Sequence, residues 1–259
     1  MFYKSMPVAL GFKDPEDVHQ LRVAGRTVLA LLDLLTDEDD MARASFKKTR
    51  GSLKKAMSLL GQLRDADVMI DEVGKRLCAM TPAQRNLLDS WLEGQQAARR
   101  KLRRKVARKL PQIIGPAWRK RMVRWQRSKE SAPANASIYC RKLDELRASR
   151  EQAFLAIRES LSGPVTLDNT ELLDRLHHGR ISTKKLRYAM EALAPVMEAD
   201  EEEIRRLKTF QDQLGHVQDL RTWALKLQSA EGDRRIIALV LKKWQDEMAE
   251  TLRQTDLAA

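Results

Sequence analysis

The chain of 259 residues carries 48 Lys and Arg against 36 Asp and Glu, for a net charge of +12 and a pI near 9.8. Hydrophobic residues at 43% exclude a disordered polymer. The longest apolar run, Val28 to Leu35, is broken by Asp33 and falls short of the roughly 20 residues that span a bilayer. A surface this basic points to a polyanionic partner without choosing among nucleic acid, anionic lipid and other polyanions.

Asp14-Pro15 opens the first predicted helix, with Asp14 as N-cap and Pro15 in the first turn. It runs to about Leu35 on an apolar stripe of Leu21, Val28, Leu32 and Leu35. Met1 to Phe12 has no basic start followed by an apolar core and a small-residue cleavage site, so it is not patterned as a signal peptide. The acidic cluster Thr36 to Asp40 begins the partner of a helical hairpin, which reaches to about Met80. Thr81-Pro82 caps a third helix that ends near Pro111, and Gly115-Pro116 starts another. The polar stretch Arg127 to Ser137 reads as a central linker. Further helices follow at about 138–161, 170–197, 200–228 and 232–254. They are separated by Ser162-Gly163-Pro164, by Pro195 onward and by Glu231-Gly232-Asp233. No strand pattern interrupts them, and the fold class is all-α. Cys78 and Cys140 lack metal-ligand spacing and read as reduced thiols, which fits a soluble cytoplasmic protein.

The two halves resemble each other. Val18-His19-Gln20-Leu21-Arg22 aligns with Leu176-His177-His178-Gly179-Arg180 at one fixed offset, with Arg26 over Lys184, Asp33 over Glu191 and Leu35 over Leu193. At a slightly shorter offset, Leu53-Lys54, Leu60-Gly61 and Asp65 align with Leu207-Lys208, Leu214-Gly215 and Asp219. Two ordered blocks of this kind indicate a tandem duplication and predict two similar helical units. Spacings of three and seven residues put His19, Arg22 and Arg26 on one helix face, and His177, Arg180, Lys184 and Arg187 on another, with Lys185 and Tyr188 alongside. Stacked like charges repel unless an anion meets them; the bland alternative is a solvated face paired with acids on neighbouring helices.

Together these segments, with Leu60-Gly61-Gln62-Leu63-Arg64-Asp65 and Leu214-Gly215-His216-Val217-Gln218-Asp219, resemble the CHAD family of histidine-containing α-helical domains. The resemblance runs from about Pro7 to Leu257. It implies one domain over 7–257, made of a first repeat at 7–130 and a second at 137–257, arranged as two pseudo-symmetric four-helix bundles. It also implies non-catalytic binding of inorganic polyphosphate on a central basic surface, and association with polyphosphate granules. Some members are fused to a triphosphate-hydrolysing domain. Carried over by position, the implied ligand-binding residues are His19, Arg22 and Arg26, then His177, Arg180, Lys184, Lys185, Arg187 and Tyr188, with Lys54, Arg64, Lys208 and His216 as further wall residues. Thr27 and Leu29 stand where the family continues with Arg, so the second copy is expected to contribute more.

Other functions remain open at this point. Nucleic acid is the main alternative: Lys and Arg fill eight of eleven positions from Arg99 to Lys109 around a stripe of Leu102, Val106 and Leu110, and Trp118 and Trp125 interleave with Arg119 to Arg127. The Trp spacing, however, suits a bundle core. A His-based metal module is the second alternative, although adjacent His177 and His178 point about 100° apart on a helix. Glu201-x-Glu203-x-Arg205 only superficially matches the Glu-x-Glu-x-Lys strand of the family's fused enzyme, and no nucleophile, Gly-rich phosphate loop or His-Glu-x-x-His is present. The expectation is therefore of no enzyme, no cofactor and no metal.

Overall fold

The computed structural model describes residues 2–36, 43–130, 136–161, 165–195 and 200–255. The described residues form α-helices joined by short connections, with one 3-10 turn at Leu77–Ala79. In chain order the helices are α1 (Phe2–Ala9), α2 (Pro15–Leu35), α3 (Ala44–Arg76), α4 (Pro82–Ile113), α5 (Pro116–Glu130), α6 (Ala136–Ser160), α7 (Thr170–Leu193), α8 (Glu201–Gln228) and α9 (Arg234–Gln254). The all-α expectation holds.

Capping chemistry explains most of the boundaries. Asp14 accepts a hydrogen bond from the Glu16 amide at 2.8 Å, and Pro15 fills the first turn where its missing N–H costs nothing. At α4, the Thr81 hydroxyl accepts from the Gln84 amide while the Gln84 side chain accepts from the Thr81 amide, a reciprocal capping box. Asp200 and Asp233 cap α8 and α9 by accepting from the Glu203 and Arg235 amides. Gly232, just before Asp233, has a φ of +143°, a conformation that only glycine adopts without strain.

The expected linker from Arg127 to Ser137 is shorter than its composition suggested. Helix α5 continues to Glu130 and α6 begins at Ala136, because an unbroken run of good helix formers extends α5 past Arg127. Pro133, the Ser162–Pro164 separator, the acidic residues 37–40, the end of the expected 170–197 helix and Leu257 lie outside the described residues. Helix α1 has no counterpart among the expected elements. It is only 8 residues long, with Pro7 inside it, so no full apolar period is available to signal it.

By packing, the chain divides into two compact units. The first takes residues 1–68 and 95–142, so that α1, α2, most of α3, the second half of α4 and α5 share one core. Phe2 and Met6 of α1, Leu21 and Leu32 of α2, Leu53, Leu60 and Leu63 of α3, Val106 and Leu110 of α4 and Trp118 of α5 are buried there. The second unit takes residues 69–94 and 143–259. In it α8 packs along both α7 and α9, and Trp91, Trp223 and Trp244 of α4, α8 and α9 meet with ring centroids 6.2–6.5 Å apart. These units are not the sequence repeats at 7–130 and 137–257. The end of α3 and the start of α4 bury Met69, Val73, Leu88 and Trp91 with the second unit. Likeness along the chain and burial in space divide it differently.

Candidate functional site

In the first unit, α2 presents His19, Arg22 and Arg26, all half-buried. Gly61 of α3 stands opposite Arg22: a Cβ there would lie 3.9 Å from Nη2 of Arg22, an ordinary contact. One turn further along α3, Asp65 reaches Arg22 at 3.6 Å. The Arg22 side chain is only 14% exposed, so its charge is shared with a carboxylate before any ligand arrives. On α3, Lys54 is exposed and Arg64 half-buried. Arg64 belongs to a denser group. Asp67, with a side chain 3% exposed, lies 2.7 Å from Nε of Arg99 and 3.8 Å from Arg103 of α4. Burial raises its pKa even though Arg99, Arg103 and Arg64 act to lower it.

The basic run of α4 therefore divides. Val106 and Leu110 are fully buried and Leu102 packs against the same core, as the stripe predicts. Arg99 and Arg103 turn to Asp67, while Arg100, Lys101, Arg104, Arg108 and Lys109 are exposed. Trp118 is buried, its indole N–H donating to the Thr49 carbonyl at 3.0 Å, and Trp125 packs beside Phe46 with centroids 5.9 Å apart. The Trp118 ring is not an open platform on which bases could stack, and the Trp125 ring is partly covered by Phe46.

In the second unit a glycine again stands beside an arginine, with different charge pairing. Gly215 of α8 stands opposite Arg180 of α7, a Cβ there falling 3.6 Å from Nε of Arg180. Arg180 is half-buried, its Nε is enclosed without an acceptor, and among the described residues no carboxylate pairs with it. Its arginine neighbours on these helices behave otherwise. Arg175 holds Glu171 at 2.6 Å, and Arg221 holds Asp174 at 3.2 Å. Lys184 is half-buried on the same α7 face; Lys185 is exposed beside it, and Lys208 is exposed on α8.

Arg187 and Tyr188 stand elsewhere than a solvent-facing stripe would put them. Both are 8% exposed. Arg187 forms an ion pair with Glu191, donates to Oε1 of Gln211 at 3.1 Å and stacks over the Tyr188 ring at 4.3 Å. Seven residues of helix leave Arg187 only about 20° from Arg180 in azimuth, so its burial comes from the neighbours it meets two turns further on, Gln211 of α8 and the Tyr188 ring. Interior hydrogen bonding absorbs its charge, and the outward α7 stripe is His177, Arg180 and Lys184.

The histidines differ from one another. His177 has an enclosed Nδ1 with no partner, and burial holds its pKa below the ordinary value of 6.5, helped by the charges of Arg180 and His178 and opposed by the Gln218 side chain. At neutral pH it is an uncharged member of the face. His178 is exposed, with Nδ1 against the Asp174 carbonyl at 2.9 Å. His216 meets Oε1 of Glu247 at 2.8 Å, and the same oxygen takes Arg76 at 2.9 Å, whose guanidinium lies over Trp223. His216 is thus tied to an acid of α9. Arg76, Gln218, Arg221 and Glu247, which complete these surroundings, carry no sequence signal, since each acts across helices rather than along one. No group of three or more His, Cys, Asp or Glu among the described residues is arranged to hold a metal ion. Cys78 and Cys140 are free and exposed. No helix among the described residues is long and apolar enough to cross a membrane.

The depressed pKa of His177 has a testable consequence. The folded chain prefers the neutral ring, so as pH falls through about 6.5 the unfolded chain takes up this proton first. Stability contributed by the neutral ring is complete above the unfolded pKa and is lost as pH falls through the folded one. Urea unfolding between pH 8 and 5 is expected to show this loss in the wild type and a smaller loss in His177→Gln. Superimposable pH profiles would refute it.

A family model for the CHAD domain matches residues 6–228. The chain belongs to the CHAD family. The CHAD match takes in both His-x-x-Arg segments and both Leu-Gly-x-x-x-Asp segments and ends at the last residue of α8. The crystal structure of a CHAD domain from the plant Ricinus communis is similar at 20% identity with a TM-score of 0.64, covering 99% of this chain and 83% of that one. That likeness speaks to the fold, and it extends through α9. No curated protein matches the chain. The CHAD family is linked with polyphosphate.

Proposed function

We propose that this CHAD domain binds inorganic polyphosphate on the α7–α8 face and does not turn it over. The state of Arg180 carries the reading. It is a half-buried guanidinium with no carboxylate partner among the described residues, next to Lys184 and Lys185, on helices whose other arginines are paired. A half-buried cation without a counter-charge is costly, and a phosphate would supply that charge to its guanidinium. Polyphosphate presents a row of such oxygens without bases, which suits a face of Arg, Lys and neutral His lacking stacking rings. Exposed Lys54 and Lys208, and half-buried His19, Arg22, Arg26 and Arg64, extend the basic surface in each unit. The Arg22–Gly61 and Arg180–Gly215 approaches support reading the chain as a duplication whose second copy keeps more charge for the ligand. The protein would act in the cytoplasm, at polyphosphate granules where these form.

Calorimetric titration with long-chain polyphosphate, pyrophosphate and single-stranded DNA at one ionic strength tests the reading. Long-chain polyphosphate is expected to bind tightest. Because counterion release makes every polyanion salt-dependent, competition rather than salt slope is the discriminating readout. DNA binding as tight as polyphosphate would overturn the assignment, and phosphate release during incubation would overturn the absence of turnover.

A further inference from the structure

A cleft in the first unit, away from the Arg22 approach of α2 and α3, has the character of a small-anion site. It has a volume of about 160 Å³ and is lined by Arg43, Ser45, Phe46 and Thr49 at the start of α3 and by Arg121, Arg124, Trp125 and Ser128 of α5. The lining holds, among the described residues, three arginines and no carboxylate. Among the described residues neither Arg121 nor Arg124 has an acidic partner. This separates them from Arg50, a few residues along α3, which holds Asp33 at 2.6 Å.

The wall is preorganised. Arg121 donates through Nε to the Thr49 hydroxyl at 3.0 Å, and that hydroxyl donates to the Ser45 carbonyl at 2.8 Å. The Thr49 carbonyl accepts from the buried Trp118 indole, so Thr49 and the guanidinium leaning on it are held from behind. Tethering Arg121 through Nε leaves both terminal nitrogens for a bidentate contact, the geometry in which guanidinium recognises oxyanions. Trp125, also in the lining, has an indole N–H that is enclosed and has no acceptor. A buried donor left unpaired is uncommon in folded proteins, and an oxyanion in the cleft would satisfy it.

Size and surroundings narrow the ligand. The cleft, of about 160 Å³, admits a phosphate group with a small organic remainder. Phe46 and the Trp125 ring provide an apolar side for the carbon end of an ester. Phe46 lies fifteen residues before Gly61, which puts the cleft roughly 22 Å along α3 from the Arg22 approach. We propose that this cleft binds a small phosphate monoester, with the phosphate on Arg121, Arg124 and the Trp125 N–H, independently of the α7–α8 face.

Phenyl phosphate is the probe, followed by tryptophan fluorescence and calorimetry, with phenol as the uncharged control. The wild type is expected to bind phenyl phosphate and not phenol. Trp125→Phe keeps a ring and removes only the donor, while Arg121→Gln removes the fork; each is expected to weaken phenyl phosphate binding about 10-fold or more, the scale of one charge-assisted contact. Long-chain polyphosphate binding should stay within about two-fold of wild type in both variants. Conversely, Arg180→Gln with Lys184→Gln should leave phenyl phosphate binding unchanged, which separates failure of this proposal from failure of the polyphosphate reading. Equal binding of phenyl phosphate and phenol, wild-type affinity in Trp125→Phe, or loss of phenyl phosphate binding in the Arg180/Lys184 variant would each overturn it.

Discussion

Arg180→Gln combined with Lys184→Gln is expected to weaken long-chain polyphosphate binding by about 10- to 100-fold, and Arg22→Gln with Arg26→Gln by clearly less. The magnitude follows from two contacts at roughly 0.7–1.4 kcal/mol each in a partly solvated site. The asymmetry follows from pairing. Arg22 shares its charge with Asp65 at 3.6 Å, so part of its interaction is already satisfied, whereas Arg180 has no carboxylate among the described residues. The slope of log affinity against log salt should fall by about one to two in the Arg180/Lys184 variant, because fewer counterions are released. Arg187 is deliberately left out of this pair. Its contacts with Glu191, Gln211 and Tyr188 are internal, and its removal would expose Glu191 and unsettle the fold rather than report on a ligand. Titration of both double variants at several salt concentrations gives the comparison; equal losses would show that the two copies contribute alike.

Trp244→Ala should destabilise the second unit by about 3–5 kcal/mol, the cost of deleting a large buried aromatic side chain. Trp244 of α9 is 1% exposed and meets both Trp91 of α4 and Trp223 of α8, so one truncation opens a cavity against three helices. For a chain of this size the thermal midpoint should drop by roughly 6–20 °C. Trp244→Phe is expected to cost less than half as much, because the indole N–H of Trp244 is enclosed without an acceptor and its loss partly offsets the smaller ring. A scan of both variants decides it: a midpoint within two degrees of wild type for Trp244→Ala would show that α9 is dispensable to this core. The result bears on the family boundary as well, since the matched region ends at residue 228 and leaves out the helix that supplies Trp244.

Much of the helical architecture could be read directly from residue order because its causes are local. An N-cap and a proline in the first turn act within four residues, and Asp14-Pro15 and Thr81-Pro82 predicted their helix starts to the residue. The stripe of Leu102, Val106 and Leu110 survived amid eight basic residues because burial depends on helical period, not on composition. Helix α1 was not legible, since Phe2 and Met6 gain their meaning only from the core they enter. Trp118 and Trp125 kept the spacing of core residues and pack that way.

By itself, the order of residues determined the all-helical class, the CHAD resemblance and which helix faces carry His, Arg and Lys, since those follow from spacing along one helix. Only the tertiary structure decided which of those cations keep their charge available. Whether a guanidinium meets a carboxylate depends on the neighbouring helix: Asp65 reaches Arg22, Gln211 of α8 and the interior take Arg187, Glu247 of α9 takes His216, and Arg180 is left without an acid among the described residues. Pairing energy falls off within a few ångströms, and no periodicity along a single helix encodes what stands opposite it.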